Sequence, residues 1–76
     1  MEVVKRPVNM RMTLKTAREL CGMTQNEAAK RIGVTEDTLR NYERGKTYPD
    51  IPALRKIEEV YGVNYNQLIF LSLDFG

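Results

Sequence analysis

Apolar residues return at helical intervals from Leu14 to Tyr61, and glycines interrupt the pattern where a helix would end. Leu14, Ala17, Leu20 and Cys21 fall on one side of a first helix running from Leu14 to about Cys21, with Thr13 as its cap and Gly22 as its stop. Asn26 to Ile32 form a second helix with Ala28 and Ile32 inward, and Thr24 with Glu27 makes the T-x-x-E pattern of a capping box. Gly33 stands where the chain must take a left-handed residue, which glycine does at little cost. Thr35 caps a third helix over about 35–44, with Leu39 and Tyr42 on its inner side. Small Ala29 marks the place where the second and third helices approach each other.

Asp50, between Pro49 and Pro52, opens a fourth helix from Ile51 to Tyr61. Its core face is Leu54, Ile57, Val60 and Tyr61, and Gly62 closes it. Asn64 and Gln67 predict a fifth helix that carries Leu68, Ile69 and Leu71 as apolar surface. The period then changes: Leu71 to Phe75 alternates apolar and polar, which predicts a strand. A strand needs a partner for its backbone, and two are open: Val3-Val4 of the same chain, or that segment of a second copy. Phe70, Leu73 and Phe75 mark an interface on this reading, and a frayed tail is the alternative. The division is a basic arm over 1–12, a helical domain over 13–71 and an apolar tail over 72–76.

Composition narrows the function classes. A chain of 76 residues makes one domain and buries only about 60% of its unfolded surface, so its stability is modest or shared with a partner. No apolar run reaches the roughly 18 residues of a membrane helix, and the first residues lack the apolar stretch of a secretory signal, which points to a cytoplasmic protein. The lone Cys21 excludes an internal disulfide, and the absence of histidine argues against a metal site; no cofactor is expected. Residues 1–46 carry ten basic against six acidic residues, +4, whereas 47–76 carry two against four, −2. The basic half holds the third helix, the asymmetry expected of a nucleic-acid binder, although a mild one. No histidine, glycine-rich phosphate loop or chain length for a cleft points to an enzyme.

The stretch Gln25 to Arg44 reads as a helix-turn-helix, in which the second of two helices enters a DNA major groove. Gln25, Ala29, Gly33, Leu39, Tyr42 and then Glu43-Arg44-Gly45-Lys46 resemble the Xre/Cro/CI-type domains of phage repressors and Cro proteins, over roughly Thr13 to Leu71. The resemblance implies an all-α, five-helix lambda-repressor-like bundle, here with short strand segments at either end. It implies an ion pair between Arg18 and Glu43 that ties the first helix to the third. It also implies a dimer on two half-sites, for which the fifth helix and the tail are the candidate interface.

Contacts to DNA divide into those that position and those that specify. Gln25 at the first turn of the second helix, together with Arg44, Lys46 and the amides around Gly45, is the expected phosphate set; Tyr48 adds a hydroxyl. Lys30 and Arg31 serve either phosphates or solvent. Thr35, Glu36, Asp37, Arg40 and Asn41 present the base-reading face, with Arg40 suited to guanine and Asn41 to adenine or phosphate. Glu36 and Asp37 either accept from cytosine or only stabilise the positive end of their helix. The basic arm touches phosphates or a minor groove, or is a solvated tail. The leading expectation is thus a sequence-specific regulator of phage or mobile-element type. An antitoxin with its tail on a toxin, and an interaction module that has lost DNA binding, are the alternatives.

Overall fold

The computed structural model describes residues 11–70. In order these form β1 (Met12–Thr13), α1 (Leu14–Leu20), α2 (Gln25–Ile32), α3 (Glu36–Arg44), α4 (Ile51–Tyr61), a 3-10 turn (Tyr65–Gln67) and β2 (Leu68–Ile69). Side chains set the helix starts. The hydroxyls of Thr13, Thr24 and Thr35 and the carboxylate of Asp50 each accept the amide three residues on, which satisfies a donor the helix itself leaves unpaired. At Thr24 the box is reciprocal: Glu27 N donates to Thr24 Oγ1 at 3.1 Å and Thr24 N donates to Glu27 Oε1 at 2.9 Å.

The turn between α2 and α3 depends on Gly33, whose φ of 93° is left-handed. Its amide and that of Val34 both return to the Ala29 carbonyl, at 2.8 and 3.0 Å. The chain thereby reverses within three residues and sets α3 across α2. Ala28 and Ala29 are buried where α2 packs on α3 and α4, and their small side chains let the axes approach. Leu14, Ala17, Ile32, Leu39, Ile57, Tyr61 and Leu68 complete one core, at whose centre Leu39 and Ile57 are fully enclosed.

Three expectations fail here. The fifth helix is absent from the described residues: a 3-10 turn of three residues closes at once, and Leu68 is already extended. Leu68 is buried, Ile69 exposed and Phe70 half-buried, a two-residue period that follows the strand rule, not the helix rule. Its backbone pairs in parallel with the start of the domain, Met12 with Leu68 and Thr13 with Ile69. The fold is therefore mostly helical with a small two-stranded sheet. The expected strand pair, Leu71–Phe75 with Val3-Val4, lies outside the described residues. Second, Leu20 was expected in the core but is 73% exposed. The inward stripe of α1 is Leu14, Ala17 and Arg18, and a helical turn of 3.6 residues carries Leu20 off it. Third, Cys21, expected on the same side of the helix as Leu14 and Ala17, is exposed, with its thiol 3.6 Å from the Tyr61 carbonyl.

Tyr61 gives a test of the core. Its ring is buried, yet its hydroxyl has no hydrogen-bond partner among the described residues. Burial pushes its pKa well above the ordinary 10.0, with the Glu43 charge adding to the rise. A phenol held protonated by the fold contributes fully below pH 10 and loses that contribution as pH rises beyond it. Tyr61→Phe removes an unsatisfied polar atom and should leave stability unchanged or raise it by about 1 kcal/mol at neutral pH. Urea unfolding near pH 7 and above pH 10 checks both, and the variant should flatten the alkaline loss.

Candidate nucleic-acid interface

A buried polar hub sets the position of α3. Arg18 Nε donates to Glu43 Oε2 at 2.7 Å and Arg18 Nη2 to Glu43 Oε1 at 3.2 Å, a two-pronged pair. Arg18 Nη1 donates to the Met23 carbonyl at 2.9 Å, and Gln25 Nε2 donates to Glu43 Oε1 at 3.0 Å. The two charged side chains are only 10% and 5% exposed. Hydrogen bonding to Glu43 raises the Arg18 pKa despite the opposing effect of burial. One carboxylate near the end of α3 thus receives donors from α1 and from the start of α2. A planar guanidinium fits this bidentate geometry, which a lysine would not reproduce.

Above that hub, α3 shows its other side to solvent. Leu39 faces inward, while Glu36, Asp37 and Arg44 are exposed and Arg40 and Asn41 half-exposed. The helix dipole favours Glu36 and Asp37 in its first turn and Arg44 in its last. Asn26 Nδ2 of α2 donates to Glu36 Oε1 at 3.4 Å, and Arg40 Nη1 forms an ion pair with Asp37 Oδ1. Neither contact was foreseen, although the i, i+3 spacing of Asp37 and Arg40 was legible. Thr35 is occupied in capping: its Oγ1 accepts from the Thr38 amide at 3.0 Å and donates to Thr38 Oγ1 at 2.8 Å.

Two expected phosphate groups are placed differently. The Gln25 amide, thought free for an anion, is half-buried and donates to Glu43, so only its second N–H is left for another acceptor. The amides around Gly45 are consumed by the helix end. Gly45, at φ 81°, donates to Tyr42 O at 3.2 Å, and Lys46 donates to Asn41 O at 2.9 Å. What remains at this end are the exposed side chains of Arg44 and Lys46. Tyr48 lies edge-on to Phe70 with centroids 6.3 Å apart. The two rings help line an open groove of about 610 Å³ with Ile51, Leu54 and Tyr65. Among the described residues no group of three acid, cysteine or histidine side chains is gathered for a metal, and no helix is long and apolar enough to cross a membrane.

Two crossed helices joined by a glycine turn, the second with a polar outward face, are the parts of a helix-turn-helix domain, a class built to present one helix to DNA. The helix-turn-helix family matches residues 14–68, and the chain belongs to that family, in its Xre/Cro/CI-type branch. It is a family of DNA-binding transcriptional regulators and not one of enzymes. The chain is 39% identical over 56 residues to the HTH-type transcriptional regulator ImmR of Bacillus subtilis, covering 74% of this chain and 44% of ImmR. It is 36% identical over 63 residues to an uncharacterized HTH-type transcriptional regulator of Archaeoglobus fulgidus, covering 83% and 90% of the two chains. A regulator of the same description from Methanothermobacter thermautotrophicus is 32% identical over 67 residues, 88% and 97%. The chain therefore spans less than half of ImmR and nearly all of the two archaeal relatives.

Proposed function

We propose that this chain binds double-stranded DNA sequence-specifically, as a cytoplasmic repressor or Cro-like regulator of phage or mobile-element type. The observation that carries the reading is the polar outer face of α3, raised on the buried Leu39 and the Arg18–Glu43 pair. Arg40 reads guanine from this face, Asn41 reads adenine or meets a phosphate, and Thr35, Glu36 and Asp37 border the bases. Arg44, Lys46 and the second N–H of Gln25 hold phosphates on either side. No cofactor takes part. The exposed apolar groove beside Tyr48, Ile51 and Phe70 supports a homodimer formed with the C-terminal residues, which sets two such helices on successive turns of the duplex.

The test compares two variants on selected and unselected duplexes. Arg40→Ala should weaken binding to the selected site by about 1–3 kcal/mol and relax one base position. Lys46→Ala should weaken all duplexes alike and lower the salt slope by about one. Equal losses on both kinds of DNA for Arg40→Ala would take it out of the base-reading set.

A further inference from the structure

We infer that Asp37 is a specificity-determining positioning residue: its carboxylate holds the Arg40 guanidinium ready for a guanine edge and away from phosphates. The inference rests on the DNA-binding reading above and adds a role that reading leaves open, since Asp37 there only borders the bases.

Two acids, Glu36 and Asp37, stand in the first turn of α3. Both are exposed, and both would repel a phosphate backbone. Glu36 is engaged across the turn by Asn26 Nδ2, at 3.4 Å. Asp37 is engaged along its own helix by Arg40 Nη1. Side-chain exposure is 76% for Asp37 and 44% for Arg40, so the pair stands on the outer surface of the helix. An exposed pair of this kind adds little to stability. Its consequence lies in what it does to Arg40.

A guanidinium carries five N–H donors in a rigid plane. The Asp37 contact uses one of them, on Nη1. The Nη2 and Nε side of the fork stays open, and two parallel donors are what guanine O6 and N7 accept. The pair therefore leaves the reading edge intact while removing much of the rotamer freedom that a long side chain would otherwise lose on binding. A phosphate offers no such compatibility. To reach it, Arg40 must abandon Asp37, or else bring a carboxylate against the anion. The same ion pair thus favours a base contact and disfavours a backbone contact.

The test uses duplexes selected by the wild-type chain from a randomised pool, with dissociation constants measured on the best duplex, on the same duplex changed at the base pair that Arg40→Ala relaxes, and on unselected duplex. Asp37→Asn keeps the shape of the side chain and removes its charge. Binding to unselected duplex should tighten, while discrimination at the Arg40 base pair should fall roughly threefold to tenfold, part of the full effect of an arginine–guanine pair. Asp37→Glu, which can remake the pair, should restore most of that discrimination. In the Arg40→Ala background, Asp37→Asn should no longer change discrimination there. A merely structural or charge effect predicts otherwise. If Asp37→Asn tightens every duplex by one factor and leaves discrimination unchanged, the positioning role is overturned while DNA binding stands. If the wild-type chain holds no duplex even at low salt, the DNA-binding reading fails first and this role with it.

Discussion

Glu43→Ala is expected to lower the stability of the domain by about 3–5 kcal/mol, the loss typical of removing one partner from a buried ion pair. The cost comes mainly from Arg18. Its side chain is 10% exposed and gives three of its donors to Glu43 and Met23. Without Glu43 two of those donors, and a positive charge, stay in the interior unmatched. The Gln25 amide loses its acceptor at the same time. For a domain of this size such a loss lowers Tm by roughly 15–30 °C, and it takes up much of the 5–15 kcal/mol that small domains usually have. Replacing both partners by apolar residues, Arg18→Met with Glu43→Leu, should recover most of the loss, because a buried pair seldom contributes much net stability over a well-packed apolar one. Urea unfolding of the single and double variants measures the difference. A loss below about 1 kcal/mol for Glu43→Ala would mean that the pair behaves as a surface contact.

Leu39→Ala is expected to be nearly as costly, about 2–5 kcal/mol. Leu39 is fully enclosed in the core and sits on the inner side of the same helix that carries Arg40 on its outer side. Truncation opens a cavity directly beneath that face, so stability and the hold on α3 should fall together. Equilibrium unfolding gives the first quantity. Binding at a temperature where the variant is still folded gives the second, and a folded variant with wild-type affinity would separate the outer face from the packing below it.

These two side chains also show what was legible before the structure. Leu39 was readable because helical periodicity and a known cap at Thr35 leave it no other direction to face. The four helices and the stops at Gly22, Gly33 and Gly62 followed from the same local rules, whereas the stop of α3 at Gly45 did not. Glu43 was expected opposite Arg18 only through family resemblance, since nothing in the spacing of residues 25 apart dictates their contact. The turn at Tyr65–Gln67 was misread because the Asn64/Gln67 capping pattern is local, whereas the extended course of Leu68 and Ile69 is set by pairing with Met12 and Thr13 at the far end of the chain. Leu20 shows the limit of composition: a leucine one step off the stripe is counted as core by its type and placed in solvent by its angle. On α3, residue types separated the solvent side, Glu36, Asp37, Arg40, Asn41 and Arg44, from the buried Leu39. What they did not give was the engagement of Gln25 by Glu43, and of Arg40 by Asp37, because each depends on which of several open donors the folded geometry brings within reach.

Under the proposed function, α3 is the helix that reads duplex DNA. Enrichment of bound duplexes from a random pool, followed by titration of the enriched duplex with salt, tests this most directly. The prediction is a short motif with a guanine at the Arg40 position, two-fold related half-sites about one helical turn apart, and log affinity falling linearly with log salt. A pool that returns unenriched, with binding that is absent at low salt or indifferent to salt, would contradict it.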